Sequence, residues 1–297
     1  MTATSTTRGL LDPEAITGFT RQSMIRRVSS ELCIGLILQR ALVLEIGHAK
    51  VGAGVQHHSL FRGKPLRRLW STMDVALRLL WGDTKVARDA ANQVYRFHDH
   101  VNGELPEPGA AWPHGAVYTA HDATLLLWVW ATLVDTSIAA YERWVAPLSD
   151  ADADAYYEDM RTFATFFGIS ADVVPPDRAA FDRYYEAVLD GDELMPTPTS
   201  RAVARDVLWF RHRNVPAFAV RRLRVLSIGT LDPRIRERFG LELSPRDQRL
   251  FDRLDKALRR YYKHRPAWLL QRLPEVYVAL RRPTIGSRKQ KTWTAPL

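Results

Sequence analysis

The chain has almost no cysteine. One cysteine among 297 residues rules out an intrachain disulfide, so the small disulfide-stapled secreted domains are excluded. Cys33 lies in an apolar run, which predicts a buried small hydrophobic residue in a protein from a reducing compartment.

Several motifs that identify common enzyme classes are missing as well. There is no phosphate-binding loop, no Gly-x-Ser-x-Gly nucleophile elbow and no dinucleotide fingerprint. The kinase, hydrolase and dehydrogenase classes therefore lose support. Zinc is unsupported because the histidines lack a His-x3-His ladder and partner cysteines. The chain also lacks the aromatic-basic and zinc-finger signatures of nucleic-acid modules, so no nucleic-acid partner is expected.

The chain also lacks an unbroken hydrophobic run long enough for a membrane span. The longest candidate, 122–141, is interrupted by Asp122 and Asp135 and is predicted to be a buried helix. Residues 1–20 are polar and show no apolar stretch before a small-residue cleavage site. We therefore expect a cytoplasmic protein.

The composition is that of a globular protein with a real interior. Hydrophobic residues make up 46% of the chain and charged residues 25%, and the length fits one large core. The net charge of +9 is concentrated late in the chain. Solvated helix faces account for most of this charge, and weak contact with an anionic membrane surface is the alternative.

Apolar periodicity near 3.6 residues predicts an all-α fold, a single multi-helix globular domain over 23–282. A flexible arm is predicted over 1–22 and a basic tail over 283–297. No strands are needed, and the breaker-rich segment 102–118 is predicted to be a loop that covers or shapes a site. Helices are predicted over 27–48, 65–81, 84–101, 121–145, 151–167, 177–190, 200–210, 215–228, 233–239, 245–263 and 266–280.

The predicted helix 84–101 carries a histidine on its apolar stripe. Ala87, Ala91, Val94, His98 and Val101 recur at spacings of four and three, so His98 faces the core. The small residues on this stripe would let a flat macrocycle approach. By spacing alone, the commoner explanation is a core histidine bonded to a carbonyl group.

Two other pairs of polar residues are candidates for chemistry. Arg68 and Thr72 are four residues apart on one helix face, where a guanidinium and a hydroxyl could bind an anion. An exposed arginine beside a helical threonine is the plainer explanation. Glu45 and His48 lie near the end of an apolar helix, before a glycine-rich turn over 51–55, and invite a metal hypothesis.

Four blocks of sequence resemble the family of haem b oxygenases that includes the latex clearing proteins (rubber oxygenases) and the farnesyl-cleaving oxygenases of mycophenolate biosynthesis. Block 41–59 is similar to an apolar helix followed by a Gly-Val turn and a His-Ser pair. Block 65–72 is similar to Pro…Arg-Leu-x-x-Thr, and block 98–103 matches His-x-x-Val-x-Gly. Block 118–135 resembles Tyr-x-Ala-x-Asp…Trp-Val-His-Ala-x-Leu-Val-Asp. The likeness covers about residues 30–250.

The resemblance implies a b-type haem between core helices with His98 as proximal iron ligand. The haem would be held non-covalently, because a chain with one cysteine has no Cys-x-x-Cys-His attachment motif. The predicted metal ligand is His98; the predicted cofactor-binding residues are His98, Arg68, Val94, Val101 and Trp130; and the predicted catalytic residues are Arg68, Thr72, Glu45 and His48.

The chain departs from the family pattern at three positions. Trp130 stands where the family usually has His, Lys50 where it usually has Pro, and Ser71 where the latex clearing protein has Lys. The implied function is oxidation of an apolar, isoprenoid-like substrate by dioxygen, with alkene cleavage as the family reaction. The alternatives are a haem-binding protein without turnover and a non-enzymatic, membrane-peripheral helical protein.

Overall fold

A computed structural model describes residues 11, 12, 14, 16–58, 65–265 and 273–281, with residues 65–69, 273 and 281 described by their backbone alone. The described residues form a nearly all-α domain, which confirms the predicted fold class. The helices are α1 (Met24–Ser29), α2 (Leu32–Leu36), α3 (Leu38–Gly47), α4 (Ala49–His58), α5 (Pro65–Trp81), α6 (Thr84–His98), α7 (Ala123–Trp144), α8 (Asp150–Thr165), α9 (Arg178–Asp190), α10 (Pro198–Leu208), α11 (Ala217–Thr230), α12 (Pro233–Phe239), α13 (Pro245–His264) and α14 (Leu273–Arg281).

Helix α7 forms the centre of the hydrophobic core. It is 22 residues long, and its buried residues face in every direction around its axis. Among the described helices it alone has the length and apolar composition to cross a membrane, and most of it is buried inside the protein. That burial agrees with the buried helix predicted over 121–145.

Several helix starts follow from local chemistry. The side chains of Asp232 and Ser244 accept hydrogen bonds from the backbone N–H groups of Arg234 and Asp247, as expected for N-cap residues. A proline in the first turn follows each cap, where its missing N–H costs no helix hydrogen bond. Both predicted boundaries are confirmed.

The predicted single helix over 27–48 is wrong, because α1, α2 and α3 divide that segment. At the first break, Glu31 is extended and the Ser30 hydroxyl donates to the Arg27 carbonyl oxygen. At the second break Ile37 leaves helical geometry (φ −119°, ψ 22°). Serine hydroxyls that bond the local backbone compete with helix continuation, which an apolar pattern does not reveal.

The predicted turn over 51–55 is also wrong, because these residues lie inside α4. A Cβ added at Gly52 would lie 2.5 Å from the hydroxyl oxygen of Ser200, so the glycine lets α10 pack directly against α4. Close packing of helices outweighs the turn tendency of the glycine pair.

The segment 102–118 contains a short hairpin that the sequence did not predict. Strand β1 (Asn102–Glu104) pairs antiparallel with β2 (Val117–Thr119), and Gly103 lies opposite Tyr118. The intervening residues are irregular, as expected for a loop.

The chain termini lie partly outside the described residues. Ile16 and Phe19, which the sequence assigned to the arm over 1–22, are buried in the core. Residues 1–10, the tail over 283–297 and the first part of the helix predicted over 266–280 lie outside the described residues, so the domain boundaries stay predictions.

A buried polar network joins α3 to α7. The guanidinium of Arg40, 4% exposed, lies 2.5 Å from the Asp135 carboxylate and donates to the Thr136 hydroxyl and the Thr230 carbonyl oxygen. The hydroxyl of Tyr185 also donates to Asp135, at 2.6 Å. Each buried charge therefore has several partners, which offsets the cost of removing it from water.

We predict that Arg40→Leu lowers the free energy of unfolding by about 3 kcal/mol, because it leaves the Asp135 carboxylate without its cation. The matched control is Arg178→Leu, which removes an ion pair to the 94% exposed Asp150 and should cost less than about 1 kcal/mol. Urea unfolding measures both values. Equal losses of unfolding free energy in the two variants would show that the buried network stabilises the protein no more than an exposed ion pair does.

Candidate functional site

A cavity of about 170 Å³, continuous with solvent, lies between α4, the end of α6, the hairpin and the start of α7. Most of its surface is apolar, and its polar groups stand at separate points of the wall. Its lining consists of Glu45, Lys50, Val51, Gly54, Val55, His58, Phe97, His98, Val101, Tyr118, Thr119, Ala120, Leu125, Leu126 and Val129.

His98 is the last residue of α6, and its half-buried imidazole lines the cavity. The N-cap of this helix is Asp83, whose carboxylate accepts a hydrogen bond from the backbone N–H of Val86. The predicted helix 84–101 ends three residues early, and His100, in the turn beyond α6, is exposed. The structure therefore places one histidine of this pair at the cavity and the other toward solvent.

Aromatic and polar side chains fix the surroundings of His98. The ring of His121 meets it edge-on, with centroids 6.1 Å apart. The buried His121 ring is itself held by the Asp99 carboxylate, 2.8 Å from its Nε2, and by the ring of Tyr95 at 4.4 Å. His98 thus stands against a neighbour that is anchored by two further residues.

The glycine of the His-x-x-Val-x-Gly motif has a visible steric role. A Cβ added at Gly103 would lie 2.8 Å from the hydroxyl oxygen of Tyr118, the residue opposite it in the hairpin. With no Cβ there, the buried Tyr118 side chain lies across the strand pair, and its hydroxyl reaches Nδ1 of His57 at 2.9 Å. Burial raises the pKa of the Tyr118 hydroxyl, so it remains protonated at neutral pH.

Glu45 and Lys50 bring opposite charges to the cavity wall from α3 and α4. The ammonium group of Lys50 lies 5.4 Å from the centre of the Trp112 ring, within cation–π range. Glu45 makes contacts of its own within the protein. Its carboxylate is one of the few groups on the wall that could accept a proton.

His48 is buried beside the cavity and does not line it. Its ring packs against Trp112, with centroids 4.5 Å apart. Burial lowers the pKa of this imidazole to about 3, with a smaller contribution from the nearby positive charge of Lys50. The side chain is therefore neutral at physiological pH.

Three other predicted site residues lie away from the cavity lining. Thr72 is exposed on α5 and Val94 is half-buried on α6. Trp130 is buried in the core, where its indole N–H donates to the Met160 carbonyl oxygen at 2.8 Å. The side chain of Arg68 lies outside the described residues. The cavity thus brings together Glu45, His98 and Val101 from the predicted set, and the roles of all these residues stay predictions.

The sequence did not single out several of the residues that shape the cavity. Tyr118 was visible only as part of a block of likeness, and Lys50 only as a departure from the family pattern. Leu125, Leu126 and Val129 read as ordinary core positions of an apolar helix. A pattern of core spacing cannot distinguish a residue that packs on protein from one that faces a cavity.

The described part of the chain holds no cluster of three or more His, Cys, Asp or Glu side chains able to bind a metal ion. The metal hypothesis for Glu45 and His48 therefore gains no support from the described residues. The mostly apolar cavity wall holds two imidazoles, and the Nε2 of one of them, His58, is bonded to the Asn102 carbonyl oxygen at 3.1 Å. His98 is the other, and a single imidazole is a known protein ligand of haem iron.

Comparison with known proteins supports the likeness found in the sequence. Residues 26–260 match the family model described as "ER-bound oxygenase mpaB/B'/Rubber oxygenase, catalytic domain". Two curated relatives, "Uncharacterized protein Mb2261" of Mycobacterium bovis and "Uncharacterized protein Rv2237" of Mycobacterium tuberculosis, are each 36% identical over 157 residues. The match covers 51% of this chain and 60% of each relative. No solved structure matches the chain.

The buried His48 predicts a specific pH dependence of stability. Its pKa is lowered on folding, so the stabilisation is present above about pH 6.5 and is lost as the pH falls toward 3. Between pH 7.5 and pH 5.0 the wild type should lose about 2 kcal/mol more unfolding free energy than His48→Leu, which has no imidazole to protonate. Urea unfolding at the two pH values measures the difference. Identical pH dependence in both proteins would show that His48 is not buried as a neutral ring.

Proposed function

Because the chain belongs to the family described as "ER-bound oxygenase mpaB/B'/Rubber oxygenase, catalytic domain", we propose that it is a haem b-dependent oxygenase that oxidises an apolar, isoprenoid-like substrate with dioxygen. The observation that carries this proposal is the position of His98 at the wall of a mostly apolar cavity. The family assignment supports an oxidoreductase; the haem, the substrate and any cleavage of an alkene are our proposals.

The residues at the cavity fit the chemistry of a haem. His98 would hold the iron through its imidazole, and Val101 with the apolar side chains of α7 would hold the macrocycle. Lys50 and His58, on the same wall, are the cationic or hydrogen-bonding groups suited to carboxylate side chains. The cavity is smaller than the roughly 300–1,000 Å³ of typical cofactor sites, so its wall must open when such a group binds.

A bound haem would supply the iron at which dioxygen is bound and activated. The protein's own residues set the surroundings. Leu125, Leu126 and Val129 present apolar surface that excludes water and favours a hydrocarbon substrate. His121, anchored by Asp99, restricts the orientation of the His98 ring.

Proton movement at the cavity is assigned to Glu45. Its carboxylate lines the cavity, whereas His48, the other predicted base, lies behind the wall and has a pKa of about 3 that makes it a weak base. Tyr118 and the exposed His57 form a hydrogen-bonded pair that connects the cavity wall to solvent. This pair is suited to exchanging a proton between the cavity and the solvent.

The proposal is tested by oxygen consumption of the haem-loaded protein with an isoprenoid alkene, compared with the saturated hydrocarbon of the same length. Oxygen uptake with the alkene and none with the alkane is expected. Haem binding without oxygen uptake would indicate a haem-binding protein that does not turn over a substrate. A colourless protein that takes up no haem would overturn the proposal.

We also propose that the protein is cytoplasmic and that it has no nucleic-acid partner.

We predict that His98→Ala loses stoichiometric haem and the Soret band, because it removes the imidazole at the cavity. His100→Ala is the matched control, since that histidine is exposed only two residues away and should leave haem content unchanged. A pyridine haemochrome assay of both purified variants, with circular dichroism to check folding, measures the result. Haem retained by His98→Ala and lost by His100→Ala would reverse the assignment.

A further inference from the structure

The loop between α10 and α11 and the first turns of α11 present aromatic rings and arginines to solvent. Trp209 is 44% exposed and Phe218 is 63% exposed, although both are large hydrophobic residues. Arg211 and Arg213 lie between them in sequence and are exposed. We call this set, completed by the exposed Arg222, the aromatic–arginine face.

The loop that carries this face has a defined shape. The backbone N–H of Val215 donates to the His212 carbonyl oxygen at 3.0 Å, and the Asn214 N–H donates to Nδ1 of His212 at 3.2 Å. These bonds form a tight turn at the tip. Buried residues at its two ends, Leu208 and Val220, attach it to the core. Arg211 and Arg213 are the residues on either side of His212 in this turn, and both are exposed.

The face is strongly positive. Residues 205–224 contain six arginines and one aspartate, a net charge of +5 out of +9 for the whole chain. Arg221 and Arg224 are compensated by Asp247 of α13, at 2.8 and 3.9 Å. Arg211 and Arg213 have no acidic partner among the described residues. An anionic partner would supply the missing negative charge.

Cation–π contacts place the aromatic rings among these charges. The guanidinium carbon of Arg222 lies 4.8 Å from the Phe218 ring centre, and that of Arg224 lies 4.7 Å from the Trp209 ring centre. One face of each ring is thus covered by a guanidinium. The rest of each ring is exposed and can enter an apolar layer.

We propose that the aromatic–arginine face docks the protein on an anionic lipid membrane. Phosphate groups of anionic lipids would pair with Arg211 and Arg213, while Trp209 and Phe218 would enter the interfacial region where aromatic rings are favoured. This inference does not depend on the oxygenase reaction. It agrees with that reaction, because a membrane is the phase in which an apolar isoprenoid-like substrate concentrates.

Co-sedimentation of the full-length protein with lipid vesicles tests the proposal. Vesicles of equal parts phosphatidylcholine and phosphatidylglycerol should bind the protein, and vesicles of phosphatidylcholine alone should not. Binding should weaken as salt is raised, because salt screens the attraction between arginines and the surface. Equal binding to both vesicle types, or binding to neither, would overturn the proposal.

Variants locate the binding surface. The double variant Arg211→Gln/Arg213→Gln should weaken vesicle binding about 30-fold, since each arginine near an anionic surface contributes about a factor of five. The charge-matched control, Lys85→Gln/Arg183→Gln, removes two exposed cations from α6 and α9 and should bind as the wild type does. Equal weakening in both double variants would show that only net charge matters and would overturn the assigned face.

A second pair of variants separates insertion from charge attraction. Phe218→Ser should weaken binding, whereas Trp70→Ser, which removes a 65% exposed aromatic ring from α5, should not.

Two further results would contradict the proposal. One is competition by a single-stranded oligonucleotide at equal charge concentration, which would identify a nucleic-acid surface. The other is a dimer in solution that Arg211→Gln/Arg213→Gln dissociates, which would identify contact with a second copy.

Discussion

The burial of most of α7 determines most of the architecture. A helix that is apolar around its whole circumference must be covered on every side, and its few polar groups must find partners in the protein. The indole N–H of Trp128 donates to the Leu44 carbonyl oxygen, and that of Trp130 donates to the Met160 carbonyl oxygen. These bonds fix α3 and α8 against α7, and the Arg40–Asp135 contact adds a charged connection on the same helix.

The start of α7 also fixes one wall of the cavity. Asp122 accepts from the backbone N–H of Thr124 directly after strand β2, so the hairpin and the helix meet at a defined corner. The first two turns of α7 then face the end of α6, where His98 lies. The cavity therefore exists because the packing of α7 leaves space between its first turns and the end of α6.

The sequence predicted those parts of the fold and site that depend on local chemistry or on periodicity. Helical spacing placed His98 on the inner side of α6, and the helix starts predicted at 233 and 245 follow the observed N-caps Asp232 and Ser244. The breaks within 27–48 and the helical conformation of 51–55 depend on contacts with distant residues such as Ser200. The hairpin pairs residues thirteen to seventeen positions apart, and no alternating pattern marks strands of three residues.

The departures from the family pattern have different physical consequences because they lie in different places. Trp130 replaces a histidine in the core, where its ring packs against Phe181 and its N–H is bonded to the backbone. Its effect is on packing, since it does not line the cavity. Lys50 stands on the cavity wall where the family pattern has proline, and it brings a positive charge beside Trp112. If this protein contacts its substrate or cofactor differently from other family members, we therefore expect Lys50 to contribute more to the difference than Trp130.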